Sequence, residues 1–569
     1  MSRFNTRNSR TAPHSPVTTE GEHTSTYEGG AAFVRDARSE LFLLAVVNMV
    51  GQDTFYESAD DRDDRFRTLV RQLAVEDPAW TAGLLGWLRG SANMRTASVV
   101  AAVEFVHARL AAEQRGDLAP DARAANAERG GWNRRAISSV LQRPDEPGEL
   151  LGYWTQQYGR RLPKPVKRGI ADATQRLYTG KALLKYDTAS KGYRFGDVLN
   201  LVHATPDPDK PWQGDLFQHA LDRRHHPDAA EPPTSNRTLS AHRALMALPV
   251  AERRAVVTAS DGAERLKAAG MTWEALAGWL QGPMDAAAWE AAIPSMGLMA
   301  LTRNLRNFDE ASVSDAAAAQ VSARLADPEE VRRSRQFPYR FLSAYRAAPS
   351  LRWGHALEQA LTASTANIPR LPGRTLVLVD TSASMRSRVS AKSEIRHIDV
   401  GALFAVGLAA RGCQVDLVGY ADGVFRHPLV KAGSVLRQAE EFCARIGEVG
   451  HGTETVAALK ATYDKHDRVV IVSDMQAFAH PGGGAYMMPS QWRPGLRAGH
   501  LEPVRVSVSD AVPMNVPLFG INTTGYAQTP IDTSKPNRYE IGGFSDQLFT
   551  MVDLLSRGRD AGWPWEPTA

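Results

Sequence analysis

The run LVLVDTSASM places a carboxylate and two hydroxyls, Asp380, Ser382 and Ser384, two residues apart at the end of an apolar, β-branched stretch. In an extended loop this i, i+2, i+4 spacing brings three oxygen-bearing side chains to one side. The same residue types also cap strands and open helices, so the run alone leaves both uses open. A second chemistry shows in the charge distribution. Residues 131–200 hold 13 Lys or Arg against 6 Asp or Glu, a surplus of seven that exceeds the +4 of the whole chain. A basic segment on a slightly acidic remainder is the asymmetry of a polyanion-binding region. A solvated helical face is the other reading of that composition. The aromatics of the segment (Trp132, Tyr153, Trp154, Tyr158, Tyr178, Tyr186 and Tyr193) can stack on unpaired bases or pack between helices.

Composition bounds what these groups can belong to. With 569 residues, 43% of them apolar, the chain can bury more than one core. Its two cysteines, Cys413 and Cys443, have no zinc-like spacing with histidine and suggest neither a disulfide framework nor a zinc ribbon. The first thirty residues are polar, without the apolar core of a secretory signal, and no run of 18 apolar residues occurs. The expectation is a soluble, cytoplasmic protein with no membrane partner and a disordered tail over residues 1–29.

The elements that must position these residues fall into two patterns. From about residue 33 to 348 apolar residues recur at helical spacing, as in Phe66, Leu69, Val70 and Leu73. Asp77 and Pro78 read as N-cap and first helical residue of the next helix. No fixed repeat period is visible, yet helix follows helix, which predicts a solenoid-like array. From Arg374 the short runs RTLVLVD, QVDLVGY, RVVIVSD and VPLFGIN alternate with helical stretches. That alternation predicts a doubly wound parallel sheet with its site in the loops at the carboxyl ends of the strands. Ser545 reads as the N-cap of a last helix, and Ala477–Ser509 as an extended loop beside the site. The expected divisions are a helical domain over 30–350, a connecting segment over 351–372, an α/β domain over 373–558, and a tail over 559–569.

Residue by residue, DTSASM resembles the Asp-x-Ser-x-Ser element of the metal-ion-dependent adhesion site in von Willebrand factor A domains. The resemblance implies a Thr from a second loop and an Asp after a later strand, places held by Thr453 in GHGTET and Asp474 at the end of RVVIVSD. Three hydroxyls and two carboxylates form an all-oxygen shell that selects Mg²⁺, with Mn²⁺ or Ca²⁺ as alternatives, over thiophilic metals. The family pattern implies direct binding by the Ser hydroxyls, and carboxylates that often act through water. It also implies an open position for an anionic oxygen of a partner. A haloacid-dehalogenase phosphatase would need a carboxylate where Ser382 stands.

Further upstream, GQDTFYE, LPKPVKRGIADATQRLY, KYDTASKGYRFGDVLNLVHATP, IPSMGLMALTRNLRNF and RQFPYRFLSAYRA together resemble the TROVE domain of the Ro autoantigen family. In that family, including its bacterial Ro/Rsr-type members, a von Willebrand A domain follows. The resemblance spans about residues 30–560. It implies a ring of HEAT-type helical repeats followed by the α/β domain, with Y-like RNA and misfolded or fragmented noncoding RNA as partners. Single-stranded ends would thread the ring, and polynucleotide phosphorylase or another exoribonuclease would process them. Lys164, Lys167 and Arg168 fall in the matching basic motif, where Pro163 and Pro165 limit helix. His203 matches a histidine used on Y RNA, although a lone His between apolar neighbours also fits a core. Arg303 and Asn304 fit either the hole of the ring or a polar network at helix ends.

No Walker A pattern, catalytic triad signature or paired metal nuclease motif is present in the sequence, so a noncatalytic, monomeric ribonucleoprotein scaffold is expected. The alternative is a cation-dependent interaction module whose A domain captures an acidic protein partner.

Overall fold

A computed structural model describes residues 12–48, 50–118, 131–226, 230–366, 368–391, 393–431, 433–477, 507–544 and 549–566. The chain opens with strands β1 (Thr19–Ser25) and β2 (Ala31–Arg35) and helix α1 (Ala37–Val47). A long succession of helices follows. Those that carry or flank candidate residues are α2 (Trp132–Val140), α3 (Glu146–Tyr158), α4 (Lys164–Leu177), α5 (Gly180–Tyr186), α6 (Phe195–Val202), α7 (Trp273–Leu280), α8 (Leu298–Glu310) and α9 (Pro328–Ser334). The α/β part then runs β3 (Arg374–Asp380), α10 (His397–Ala410), β4 (Gln414–Tyr420), β5 (Val424–His427), α11 (Thr455–Thr462), β6 (Arg468–Ser473), β7 (Leu518–Asn522), β8 (Gln528–Thr529), β9 (Arg538–Gly542) and α12 (Phe549–Ser556). Two compact units result. One comprises residues up to Phe66, 337–339 and from Thr365 onward, and the other comprises 67–336 and 340–364.

In the first unit a six-stranded sheet has the order β5-β4-β3-β6-β7-β9. Pairing is parallel from β4 through β9, and β5 adds an antiparallel edge that the alternating pattern did not announce. Alternate residues of the continuous apolar strands serve opposite faces. Leu376, Leu378, Val469 and Ile471 share a core with Ala458 and Leu459 of α11. On the other face Gly401 of α10 lies so close to the sheet that a Cβ would sit 3.1 Å from Val379 and Val472. Helices therefore cover both faces, and the site-bearing ends of β3 and β6 are held between two cores. Cys413 and Cys443 are both buried.

The expected division is corrected at both ends of this unit. Residues 12–29 are not a loose tail. β1 pairs with β2, and β2 pairs with β8 through Phe33↔Thr529 and Val34↔Gln528. Residues 30–66 also belong with the sheet rather than with the helical array. Arg35 is fully buried and forms a 2.6 Å ion pair with Glu540, with further bonds to the carbonyls of Tyr526 and Ala527. Such a pair offsets its desolvation only when its remaining donors are met, as they are by these carbonyls. At the other end Trp563 and Trp565 pack on Phe42, and the Ala561 N–H donates to the His14 carbonyl, so residues 559–566 are folded too. Amphipathic counting misses such segments because single residues, not a periodic face, tie them down. Ser545 and residues 478–506 of the expected loop lie outside the described residues.

The second unit is helical, and its packing follows short-range order. α4 buries Val166, Gly169, Ile170, Ala173 and Thr174, a stripe of 3.6-residue period. At Gly169 a Cβ would meet Ile137 at 2.7 Å and the Arg134 carbonyl at 2.8 Å, so the absence of a side chain sets the close crossing of α2 and α4. Burying Val166 and Ile170 contributes about 1.5–3 kcal/mol each. Arg335, which ends α9, donates at 2.6 Å to Gln142 just beyond α2, so residues 193 positions apart in this unit meet. Among the described residues no helix is long and apolar enough to cross a membrane.

Candidate cation site and nucleic-acid interface

Parallel pairing places the ends of β3, β4 and β6 side by side, with Asp380 opposite Tyr420 and Val379 opposite Val472. The loop leaving β3 turns at once, because the Ser382 N–H donates to Asp380 Oδ1 at 2.8 Å and the Thr381 N–H to the Tyr420 carbonyl at 2.8 Å. Ser382 and Ser384 hydroxyls then stand 3.1 Å apart, and the Ser384 side chain lies near enough to Asp474 to favour its charged form. Asp380, Ser382, Ser384 and Asp474 are thus joined in one buried cluster. Thr453 is also buried, on the loop whose His451 carbonyl accepts the Ala383 N–H, without a direct bond to the other four.

Ser473 escaped sequence reading, although it is the residue that ties the two carboxylates together. Its hydroxyl donates to Asp380 Oδ2 at 2.7 Å and lies 3.4 Å from Asp474 Oδ1. Burial pushes both carboxyls above the usual carboxylate range, and the charge of Asp380 raises Asp474 further. Neither acid has an ion-pair partner among the described residues, and Asp474 Oδ2 is buried with no hydrogen bond. Among those residues no group of three or more His, Cys, Asp or Glu is placed to hold a metal, so coordination would fall to the mixed hydroxyl and carboxylate set. An orphaned carboxylate oxygen among hydroxyls fits a hard cation.

GQDTFYE, whose resemblance assigned it to the helical half, borders this site instead. The Tyr56 N–H donates to Tyr526 Oη at 3.2 Å, and the Tyr56 ring stacks on Tyr27 at 5.3 Å. Burial, with the nearby charge of Asp474, pushes the Tyr56 phenol up. The Tyr27 N–H reaches Gln476, two residues past Asp474, at 2.9 Å.

On the helical unit, Pro163 is the N-cap of α4 and Pro165 its second residue. Proline is tolerated there because the first helical N–H groups lack intrahelical acceptors. The prolines therefore start the helix rather than disrupt the basic motif. Lys164 and Arg168 are exposed and Lys167 half-buried, at the i, i+3, i+4 positions of one face. None is paired with a carboxylate among the described residues, and the first turn of α4 contains no acid. Cations at this end oppose the helix dipole.

Much of the surrounding charge is spent internally. Arg134 grips Asp172 with two bonds of 2.6 and 2.7 Å, Arg143 and Lys191 hold Asp145, and Arg194 holds Asp187. Arg176 donates to the carbonyls of Ser138 and Leu141, and Arg135 covers Trp132. The aromatics mostly pack, with Trp154 buried and Tyr178 stacked on Phe195 at 3.7 Å.

His203 is exposed, so it is not a core histidine. It ends α6 in the left-handed region at φ 56°. Two residues on, the Thr205 carbonyl accepts from Gln175 near the end of α4, which sets His203 by the opposite end of α4 from Lys164, about 16 Å along the axis. Arg303 is exposed on α8. Asn304 is a correction to the expected RNA-binding set. It is 2% exposed, its amide donates to the Ala300 carbonyl at 2.8 Å, and its oxygen accepts from Asn307 at 2.7 Å, so burial keeps it from the surface.

Residues 260–370 match the family model of the TROVE domain. No curated protein matches the sequence. Among solved structures, the crystal structure of the Deinococcus radiodurans Ro (RSR) protein superposes with a TM-score of 0.55 at 19% identity, over 92% of this chain and 100% of that one. The fold class is a helical array followed by an A-like α/β domain. The chain thus shares the fold of that Ro (RSR) structure, and its residues 260–370 carry the TROVE match.

Proposed function

We propose that the chain is a noncatalytic RNA-binding scaffold. Y-like RNA and misfolded or fragmented noncoding RNA bind the basic face of the helical unit, and single-stranded ends thread onward to an exoribonuclease in RNA quality control. The observation that carries this reading is the first two turns of α4, where Lys164, Lys167 and Arg168 have no carboxylate partner among the described residues, toward the positive end of a helix. Stability alone would favour acids there. Exposed Arg160 and Arg161 extend the patch, and His203 and Arg303 add exposed donors. Such a surface binds phosphate by counterion release, so affinity falls steeply with salt. The test is binding of an RNA with a single-stranded end across a salt series. Steep salt dependence supports the reading, and salt-independent or absent binding by folded protein overturns it.

A second reading is favoured by the buried, unbonded Asp474 Oδ2. Asp380, Ser382, Ser384 and Asp474, with Thr453 beside them, would hold Mg²⁺, which supplies a Lewis-acidic position for a carboxylate of a protein partner. This capture is compatible with RNA binding on the helical unit. Loss of a protein partner in EDTA, with RNA binding intact, distinguishes the two.

A further inference from the structure

Within the helical unit a cleft of about 250 Å³ opens between α5, the turn into α7 and the start of α8. Three lysines from two separate stretches line it, Lys181 and Lys185 of α5 and Lys267 just before Gly270, along with the indole of Trp273. One carboxylate, Glu274, shares the lining. None of the three lysines is ion-paired with it or with any other carboxylate among the described residues; Lys185 instead sits 5.2 Å from the Tyr186 ring centroid.

Several other cations of the same unit are treated differently. Arg134, Arg143, Lys191 and Arg194 are each given a carboxylate. Three exposed ammonium groups line one cleft, and together they favour an anion there, although solvent screens each of them. The start of α8 adds to the attraction. Its N-cap is Gly297, which has no side chain to satisfy the first helical N–H groups, and Gly297 also lines the cleft. A half-buried indole beside a cationic cluster supplies a flat apolar wall for a ring. At about 250 Å³ the cleft lies just under the usual range of small-molecule pockets, roughly 300–1,000 Å³, so it takes one nucleotide with part of it left in solvent and no duplex.

We infer that this cleft is a binding site for a single phosphorylated nucleotide, with phosphate on Lys181, Lys185 and Lys267 and the base against Trp273. The nucleotide is either free or the 5′-phosphorylated end of an RNA, and the chemistry recognised is the same. The site is separate from the first turn of α4 and does not depend on RNA binding there.

The test is calorimetric titration of the full chain with AMP, adenosine and inorganic phosphate, and with a short single-stranded RNA bearing either a 5′-phosphate or a 5′-hydroxyl. For a free nucleotide, AMP binds roughly tenfold tighter than adenosine, and Lys267→Gln or Lys181→Gln removes that preference. For an RNA end, AMP is weak and the 5′-phosphorylated RNA outcompetes its 5′-hydroxyl counterpart, again only with the lysines present. Trp273→Phe, which keeps a ring, retains binding, and Trp273→Leu weakens AMP more than inorganic phosphate. A folded protein that prefers phosphate in neither arm, or a preference unchanged by the lysine variants, overturns the inference. The Lys164→Ala, Lys167→Ala, Arg168→Ala protein serves as reference. It loses general RNA affinity while keeping the AMP or 5′-phosphate preference, so failure of the RNA-scaffold reading is distinguishable from failure of this one.

Discussion

Among the described residues, two carboxylates lie buried at the ends of β3 and β6 with no cationic side chain, whereas in the first two turns of α4 three cations stand with no carboxylate. Both are unbalanced charge, but the environments give them different consequences. Buried like charges interact strongly, so the acid pair costs folding energy until a cation or protons neutralise it. Charges near the surface are screened within about 8–10 Å at ordinary salt, so the basic turn costs little and accepts any polyanion. One region is narrow in geometry and ligand, and the other is broad in both.

The largest expected effect sharpens this contrast at the acid pair. Asp474→Asn removes one buried charge and one oxygen ligand. Mn²⁺ binding, read by electron paramagnetic resonance, should be lost, while the melting temperature in EDTA should rise because repulsion with Asp380 is gone. RNA affinity should not change. A fall in EDTA stability would show that the carboxylates are not in conflict in the metal-free protein.

The reciprocal experiment replaces Lys164, Lys167 and Arg168 by Ala. The slope of log affinity against log salt should shrink by about 2 to 3, and RNA affinity at low salt should drop more than about tenfold, with Mn²⁺ binding unaltered. If either set of substitutions moves both readouts, the two regions are coupled and the comparison breaks.

The same contrast explains what the sequence could reveal. The acid site was legible because Asp380, Ser382 and Ser384 lie within five residues, and the strand register that brings Asp474 to them follows from continuous apolar runs. Ser473 was not, since nothing in VVIVSD says which side of the strand a serine at its end will face. The helical class of the middle of the chain was equally visible. The basic face was legible only as density, because pairing is decided by long-range packing: Arg134 meets Asp172 only when α2 crosses α4. The placement of residues 12–66 on the sheet unit depended on contacts such as Arg35 with Glu540, more than 500 residues apart, which no local pattern encodes.

Acid should act on the sheet unit through His397. Its ring is fully buried near Arg62 and Phe544 with Nδ1 unbonded, and burial followed by the Arg62 charge lowers its pKa from 6.5 to about 4. The unfolded chain therefore binds a proton that the folded one refuses between these values. Stability from this group is complete above pH 6.5 and is lost as pH falls toward 4, by about 3 kcal/mol in total. Chemical denaturation of the sheet unit at pH 7.5 and 4.5 checks this against His397→Gln, which keeps a donor for the Thr523 carbonyl but does not titrate. If the two proteins lose stability in parallel, His397 is not the source.

The smallest effect bears most directly on why the basic turn exists. Lys164 is the first residue of α4, where the helix dipole favours an acid. Lys164→Glu should therefore stabilise the helical unit by about 0.3–1 kcal/mol, while weakening RNA binding more than Lys164→Ala does, because it adds repulsion as well as removing attraction. Urea unfolding and filter binding on the same three proteins give the two scales. Opposite signs for stability and affinity mean that the cations are kept at a structural cost for the sake of a polyanion. A loss of stability in Lys164→Glu would instead make the lysine part of the fold, and the unpaired turn of α4 would no longer argue for RNA.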